Sequence, residues 1–123
     1  MSCEIISVRK VDYYVNNPFA CLLDIRDESE YNISHIKNAI NIPYNIINDC
    51  LCYYYNGGET ANETDRDKYG SCRNILADKT KVYVIYCDRG AMSMIICNKM
   101  SQLGYVTKTV VGGFLKYNGK YKV

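Results

Sequence analysis

The chain has 123 residues, 48% hydrophobic and 23% charged, and fifteen Lys and Arg against thirteen Asp and Glu leave a net charge of +2. That length predicts one domain over residues 1–123 with a substantial core. The near-even charge excludes the uniform basic field by which a whole chain binds nucleic acid directly.

No apolar run approaches the roughly 20 residues of a membrane span. The N-terminal stretch sets Glu4 and Arg9 around a short apolar segment, unlike a signal peptide. With no export signal, the seven cysteines (Cys3, Cys21, Cys50, Cys52, Cys72, Cys87 and Cys97) are expected as free thiols in a reducing, cytoplasmic setting.

In chain order, Glu4 to Val8 reads as a short strand and Arg9 to Val15 as a helical turn, broken at Asn16-Asn17-Pro18. Ala20 to Ile25 is apolar on both faces, as in a buried parallel strand. Asp27-Glu28-Ser29-Glu30-Tyr31 opens a helix with acids where the helix dipole favours them. Ala39 to Ile42 is a second short strand before Pro43, and Tyr44 to Tyr55 has helical spacing through Ile46, Ile47, Cys50, Leu51 and Tyr54. Asn56 to Gly70 is polar and aperiodic, a surface excursion within an enlarged connection over 44–80. Its Asn62-Glu63-Thr64 sequon carries no weight without export.

Val82 to Tyr86, β-branched and aromatic throughout, is the strongest strand. A helix follows with Met92, Ile95, Ile96, Met100 and Leu103 expected on its core face and Gly104 at its C-terminal stop. Val106 to Val111 is the last strand, Gly112-Gly113 a turn and Phe114 to Tyr117 a short helix. Strands alternating with helices in this way predict an α/β fold with a mostly parallel sheet.

Cys87 stands directly after the strongest strand and before the best helix, where open α/β sheets bind ligands. Residues 87–93, Cys-Asp-Arg-Gly-Ala-Met-Ser, form a turn into a helix N-terminus, and successive backbone N–H groups there make an anion cradle. Such a cradle favours thiolate and holds a charged sulfur product. The alternative is a small residue closing a buried strand; strand, turn and helix together favour the nucleophile.

Four segments, in order, carry a resemblance over nearly the whole chain. Leu22-Leu23-Asp24-Ile25-Arg26-Asp27 resembles a strand ending in Asp-Val-Arg. Glu30 to Pro43, with Ser34-His35-Ile36 and Asn38-Ala39-Ile40-Asn41-Ile42 inside it, resembles a segment built on Gly-His-Ile and Gly-Ala. Tyr86 to Ser93 resembles a Cys-x-x-Gly-x-x-Ser active loop, and Val111 to Tyr117 a Gly-Gly-x-x-x-Trp close. By these motifs the chain resembles a single-domain rhodanese of the sulfurtransferase family.

The resemblance implies a five-stranded, mostly parallel sheet flanked by helices. It also implies a sulfurtransferase in which Cys87 takes sulfane sulfur from a small anionic donor such as thiosulfate, or from a persulfide. Cys87 then passes that sulfur to a thiol or dithiol acceptor, which can be a protein. The loop residues Asp88, Arg89, Gly90, Ala91, Met92 and Ser93 would bind substrate, with Arg89 adding positive charge. Asp24, Arg26 and His35 are expected to support the site, and no metal or cofactor is called for. The chain departs from the family with Ser34 and Asn38 for Gly, Tyr117 for Trp and Met92 where Arg is frequent, which removes a common anion contact.

Five other readings compete with this one. One is a docking module of the same fold without catalysis, and another a sulfur carrier dedicated to one partner, with Cys97 as a packing residue or a resolving thiol. A cysteine phosphatase needs Arg six positions after the cysteine, where Ser93 stands. A Cys–His hydrolase would have to use His35, the one histidine, and a zinc site would have to use Cys50, Cys52 and Cys72.

Overall fold

The computed structural model describes residues 2–55 and 70–123, so the excursion over 56–69, with its sequon, lies outside the described residues. The elements are β1 (Glu4–Ile6), a 3-10 turn (Val8–Lys10), α1 (Val11–Val15), β2 (Ala20–Asp24), α2 (Glu28–Ile33), β3 (Ile40–Asn41), α3 (Tyr44–Tyr55), α4 (70–75), β4 (Val82–Tyr86), α5 (Ala91–Gln102), β5 (Val106–Val110) and α6 (Gly113–Lys116). Gly70, expected in the excursion, is already helical.

The strands form one five-stranded sheet in the order β1-β5-β4-β2-β3. Every neighbouring pair is parallel, a stricter arrangement than the mostly parallel sheet expected. β4 lies in the middle, and successive residues of the inner strands point to opposite faces. Leu22 and Val84 therefore join Val11, Val15, Phe114 and Tyr117 on one side, while Leu23, Tyr83 and Ile85 join Ile47, Leu51, Ile96 and Met100 on the other. This explains why β2 and β4 read as unbroken apolar runs: both faces are covered. Each fully buried Leu or Ile among these contributes roughly 1.5–3 kcal/mol.

The phase of α5 differs from expectation. Its buried residues are Ser93, Ile96, Cys97, Met100 and Ser101, whereas Met92 and Ile95 are 44% and 42% exposed. Apolar residues at 92, 94, 95 and 96 allow more than one face, and the polar contacts of Ser93 at the helix start decide between them. The C-terminal stop is as expected: Gly104 takes φ 94°, its N–H donates to Ser101 O at 3.1 Å, and Tyr105 N–H donates to Met100 O at 3.1 Å. These two bonds close the helix end in a Schellman motif. Asn38, standing where the family has Gly, also takes a left-handed conformation, φ 69°, and its side-chain amide donates to Val15 O at 2.9 Å.

The expectation of free thiols throughout is corrected at one pair. Cys3 and Cys97 form a disulfide, with their Cα atoms 5.5 Å apart across a sequence separation of 94. β1 pairs with β5 and α5 packs on β5, which brings the residue before β1 against the middle of α5. Cys97 is thus bonded to Cys3 and is not a resolving thiol beside Cys87. The five others are free. Closing so long a loop restricts the unfolded chain, so Cys3→Ser is expected to destabilise the fold by roughly 2–4 kcal/mol. In urea denaturation, dithiothreitol should shift the wild-type midpoint by a similar amount and leave that of the variant unchanged.

No helix among the described residues is long and apolar enough to cross a membrane.

Candidate active site

The carboxyl ends of β2, β4 and β5 meet on one edge of the sheet, and the turns that follow these strands build the site. β4 delivers Cys87, 6% exposed, into the turn before α5. Gly90 makes that turn at φ 109°, and a Cβ there would lie 3.2 Å from Gly112 N. The tight turn aims backbone N–H groups at sulfur: Gly90 N donates to Cys87 Sγ at 3.1 Å and Ser93 N at 3.4 Å. Both donors lie at the N-terminus of α5, whose dipole adds to their pull on negative charge.

A buried hydroxyl pair lies behind the sulfur. The Cys87 thiol donates to Ser93 Oγ at 3.5 Å, Ser93 Oγ donates to Gly90 O at 3.1 Å, and Ser93 Oγ and Thr109 Oγ1 are 2.8 Å apart. When the sulfur is anionic, the Ser93 hydroxyl can turn to donate to it, with Thr109 at its back. Thr109 was not singled out from the sequence. The available signal is its place in a buried strand, where Thr107 and Thr109 share one face.

A second turn clamps the loop. Gly112 and Gly113 take φ 82° and 62°, so the chain reverses over the loop backbone. Phe114 N then donates to Cys87 O at 2.8 Å and Leu115 N to Asp88 O at 3.0 Å.

The sulfur opens into a cleft of about 340 Å³. Its walls are Ile25, Arg26 and Asp27 after β2, Glu30 on α2, Tyr44 at the start of α3, and Asp88, Arg89, Ala91 and Met92 from the loop and α5. Of the sequence candidates, Cys87, Asp88, Arg89, Ala91, Met92 and Arg26 are brought together here. Gly90 and Ser93 act from below the sulfur.

Asp24 and His35 do not line the cleft. The Asp24 carboxylate is fully buried, and it accepts bonds from Arg26 Nη2 at 2.7 Å, Arg26 Nε at 3.1 Å and Arg26 N at 2.9 Å. Arg26 also donates to Ser34 O at 2.6 Å and sits over the Phe114 ring, 4.1 Å from its centre. Burial works against the charge on Arg26, but its hydrogen bond and ion pair with Asp24 more than offset this and leave its pKa raised. Burial and the Asp24 charge push the Tyr86 phenol upward, and its oxygen accepts the Ile36 N–H at 3.1 Å. Tyr117, in place of Trp, is buried and donates to Asp12 Oδ1 at 2.6 Å. Burial and that bond raise its pKa to about 12.

The family model for the rhodanese-like domain matches residues 8–120. The chain belongs to the rhodanese-like domain family. A curated relative, the tRNA uridine(34) hydroxylase of Hamiltonella defensa subsp. Acyrthosiphon pisum (strain 5AT), is 28% identical over 120 residues, covering 93% of this chain. The chain spans only 28% of that relative's length. Among solved structures, the rhodanese-related protein of Thermoplasma volcanium is similar with a TM-score of 0.65 and 24% identity, over 98% of this chain and 97% of its own. Reduced CoADR-RHD of Bacillus anthracis has a TM-score of 0.68 at 23% identity, over 94% of this chain and 16% of its own.

The geometry of this rhodanese-like domain also weighs the rival chemistries. Ser93 occupies the place of a phosphatase arginine and is buried against Thr109 rather than aimed at a ligand. The His35 ring stacks on Tyr31 with centroids 3.7 Å apart, and its Nδ1 lies 2.8 Å from Tyr31 O, which requires the proton on that nitrogen. It is therefore a structural hydrogen-bonder outside the cleft. Cys50 and Cys72 are buried and hydrogen-bonded to one another, a contact that raises the Cys72 pKa, as burial also does. Cys52 is exposed, and among the described residues no three metal-ligating side chains converge.

Proposed function

We propose that this rhodanese-like domain is a sulfurtransferase with Cys87 as its nucleophile. The observation that carries the reading is the Cys87 sulfur at the base of an open cleft, receiving the N–H groups of Gly90 and Ser93. The Cys87 thiolate attacks the outer sulfur of thiosulfate or of a persulfide. A sulfur–sulfur bond forms to Cys87, the donor's own bond to that sulfur breaks, and sulfite or a thiolate leaves with the electron pair. The terminal sulfur of the Cys87 persulfide carries the negative charge, and preorganised N–H groups of residues 88–93 stabilise it at no reorganisation cost. A thiol or dithiol acceptor then attacks that sulfur and regenerates the thiolate. Arg26 and Asp24 position the loop, and Arg89 adds positive charge at the mouth.

The hydroxylase name belongs to a relative more than three times as long, of which this chain spans 28%. Steady-state kinetics with varied donor and acceptor test the reading, which predicts parallel double-reciprocal lines because donor products leave before acceptor binds. Intersecting lines would replace the free persulfide intermediate with direct transfer in a ternary complex, and no turnover with any donor would favour the docking module. Ser93→Ala is expected to lower the rate of sulfur loading about tenfold, the loss of one hydrogen bond to a charged group. Stopped-flow single-turnover rates measure this directly.

A further inference from the structure

The cleft is unusually acidic for a site that is to accept an anion. Three carboxylates, Asp27, Glu30 and Asp88, line it together with two guanidinium groups, Arg26 and Arg89. Arg26 is neutralised by its bidentate bond to Asp24, which leaves Arg89 alone against three acids. Met92, 44% exposed on the same wall, supplies no charge. The acids also press on one another. Burial, then the charge of Asp88 and a hydrogen bond with it, raise the Glu30 pKa, and Asp27 adds to the effect while Arg26 opposes it.

We propose that Glu30, with Asp27 and Asp88, sets the donor specificity of the Cys87 site: the cleft takes sulfur from the persulfide of a neutral or cationic thiol and disfavours the thiosulfate dianion. This rests on the sulfur-transfer reading above and deepens it. A dianion entering between carboxylates meets repulsion with each of them. At about 6 Å, one carboxylate acting on two charges slows binding about tenfold even with water-like screening. A hydropersulfide of a cationic thiol meets attraction instead. The transfer balances without an outside oxidant. The Cys87 thiolate bonds to the terminal sulfur, the bond between that sulfur and the carrier sulfur breaks, and the carrier sulfur departs with the electron pair. It takes up the proton of the hydropersulfide to leave as a thiol, and Cys87 is left as the persulfide anion.

The test compares single-turnover loading of Cys87 by sodium thiosulfate and by cysteamine hydropersulfide in wild type, Glu30→Gln, Glu30→Lys and Glu28→Lys. Glu28 is exposed on the same helix and does not line the cleft, so its reversal controls for the general field. Dividing each variant's rate by the wild-type rate cancels the intrinsic reactivity of the two donors. The expected result is a thiosulfate-to-hydropersulfide ratio that rises several-fold in Glu30→Gln and at least tenfold in Glu30→Lys, with Glu28→Lys within twofold of wild type. An unchanged ratio in both Glu30 variants, or an equal change in Glu28→Lys, with Cys87 still loading, overturns the specificity assignment alone. Failure of both donors to load Cys87 in the wild type overturns the sulfur-transfer reading beneath it.

Discussion

Gly113→Ala is expected to reduce sulfur transfer at least a hundredfold while leaving the rest of the sheet intact. A Cβ at this position would lie 2.5 Å from both Cys87 O and Asp88 O, backbone atoms that have no rotamer to escape into. The φ of 62° adds roughly 1–2 kcal/mol of strain for any residue with a side chain. Ordinary contact begins near 3.4 Å, so the loop and the Gly-Gly turn must separate by about an ångström. That motion stretches the bonds from Phe114 N and Leu115 N that hold the loop carbonyls. Misplacing a reacting group by about 1 Å is worth about a hundredfold in rate. Gly70→Ala is the matched control: a Cβ there meets nothing within 4 Å, and on a helix it should be neutral or mildly stabilising. Transfer rates and thermal midpoints of the two variants, measured side by side, check the expectation. Equal activity in both would show that the turn does not clamp the loop.

The second large effect is expected at Arg26→Met, a loss of about 3–5 kcal/mol of stability. Methionine fills the space over the Phe114 ring but supplies no hydrogen bond, so Asp24 is left as a fully buried carboxylate without its bidentate partner. Ser34 O loses its donor as well. The double variant Arg26→Met with Asp24→Asn removes the stranded charge, and it should recover part of the loss because most of the penalty lies in the unpaired ion. Urea midpoints of the wild type, the single variant and the double variant measure this. A single-variant loss below about 1 kcal/mol would mean that the pair is not what holds the turn after β2.

Much of the site was legible because its signals are local. Val82 to Tyr86 can only be a buried strand, Gly90 and Gly104 mark turns that need left-handed backbone, and Cys87 falls between a strand and a helix. The motif segments put Asp24 and Arg26 near the loop and gave both, with His35, a supporting role; Arg26 also lines the cleft, and Asp24 and His35 do not. What stayed hidden depends on distant packing. The Cys3–Cys97 disulfide exists because β1 pairs with β5, a neighbour relation between opposite ends of the chain that no local pattern reveals. The buried face of α5 differs from the expected one because Met92, Met94, Ile95 and Ile96 leave the apolar stripe degenerate, and the contacts of Ser93 with Cys87 and Thr109 resolve it. Gly113 was legible as a turn residue but not as a residue pressed on two loop carbonyls. Glu30 was legible as a helix-opening acid, and its place opposite Asp88 follows only from how α2 packs over the loop.

Intact-mass spectrometry of the reduced protein after incubation with thiosulfate and with cysteamine hydropersulfide tests the central assignment most directly, on the wild type and on Cys87→Ser. The account predicts a gain of one sulfur atom in the wild type, removed by cyanide or dithiothreitol and absent from Cys87→Ser. No gain with either donor while the Cys87 thiol is demonstrably reduced, or an equal gain in the variant, would contradict it.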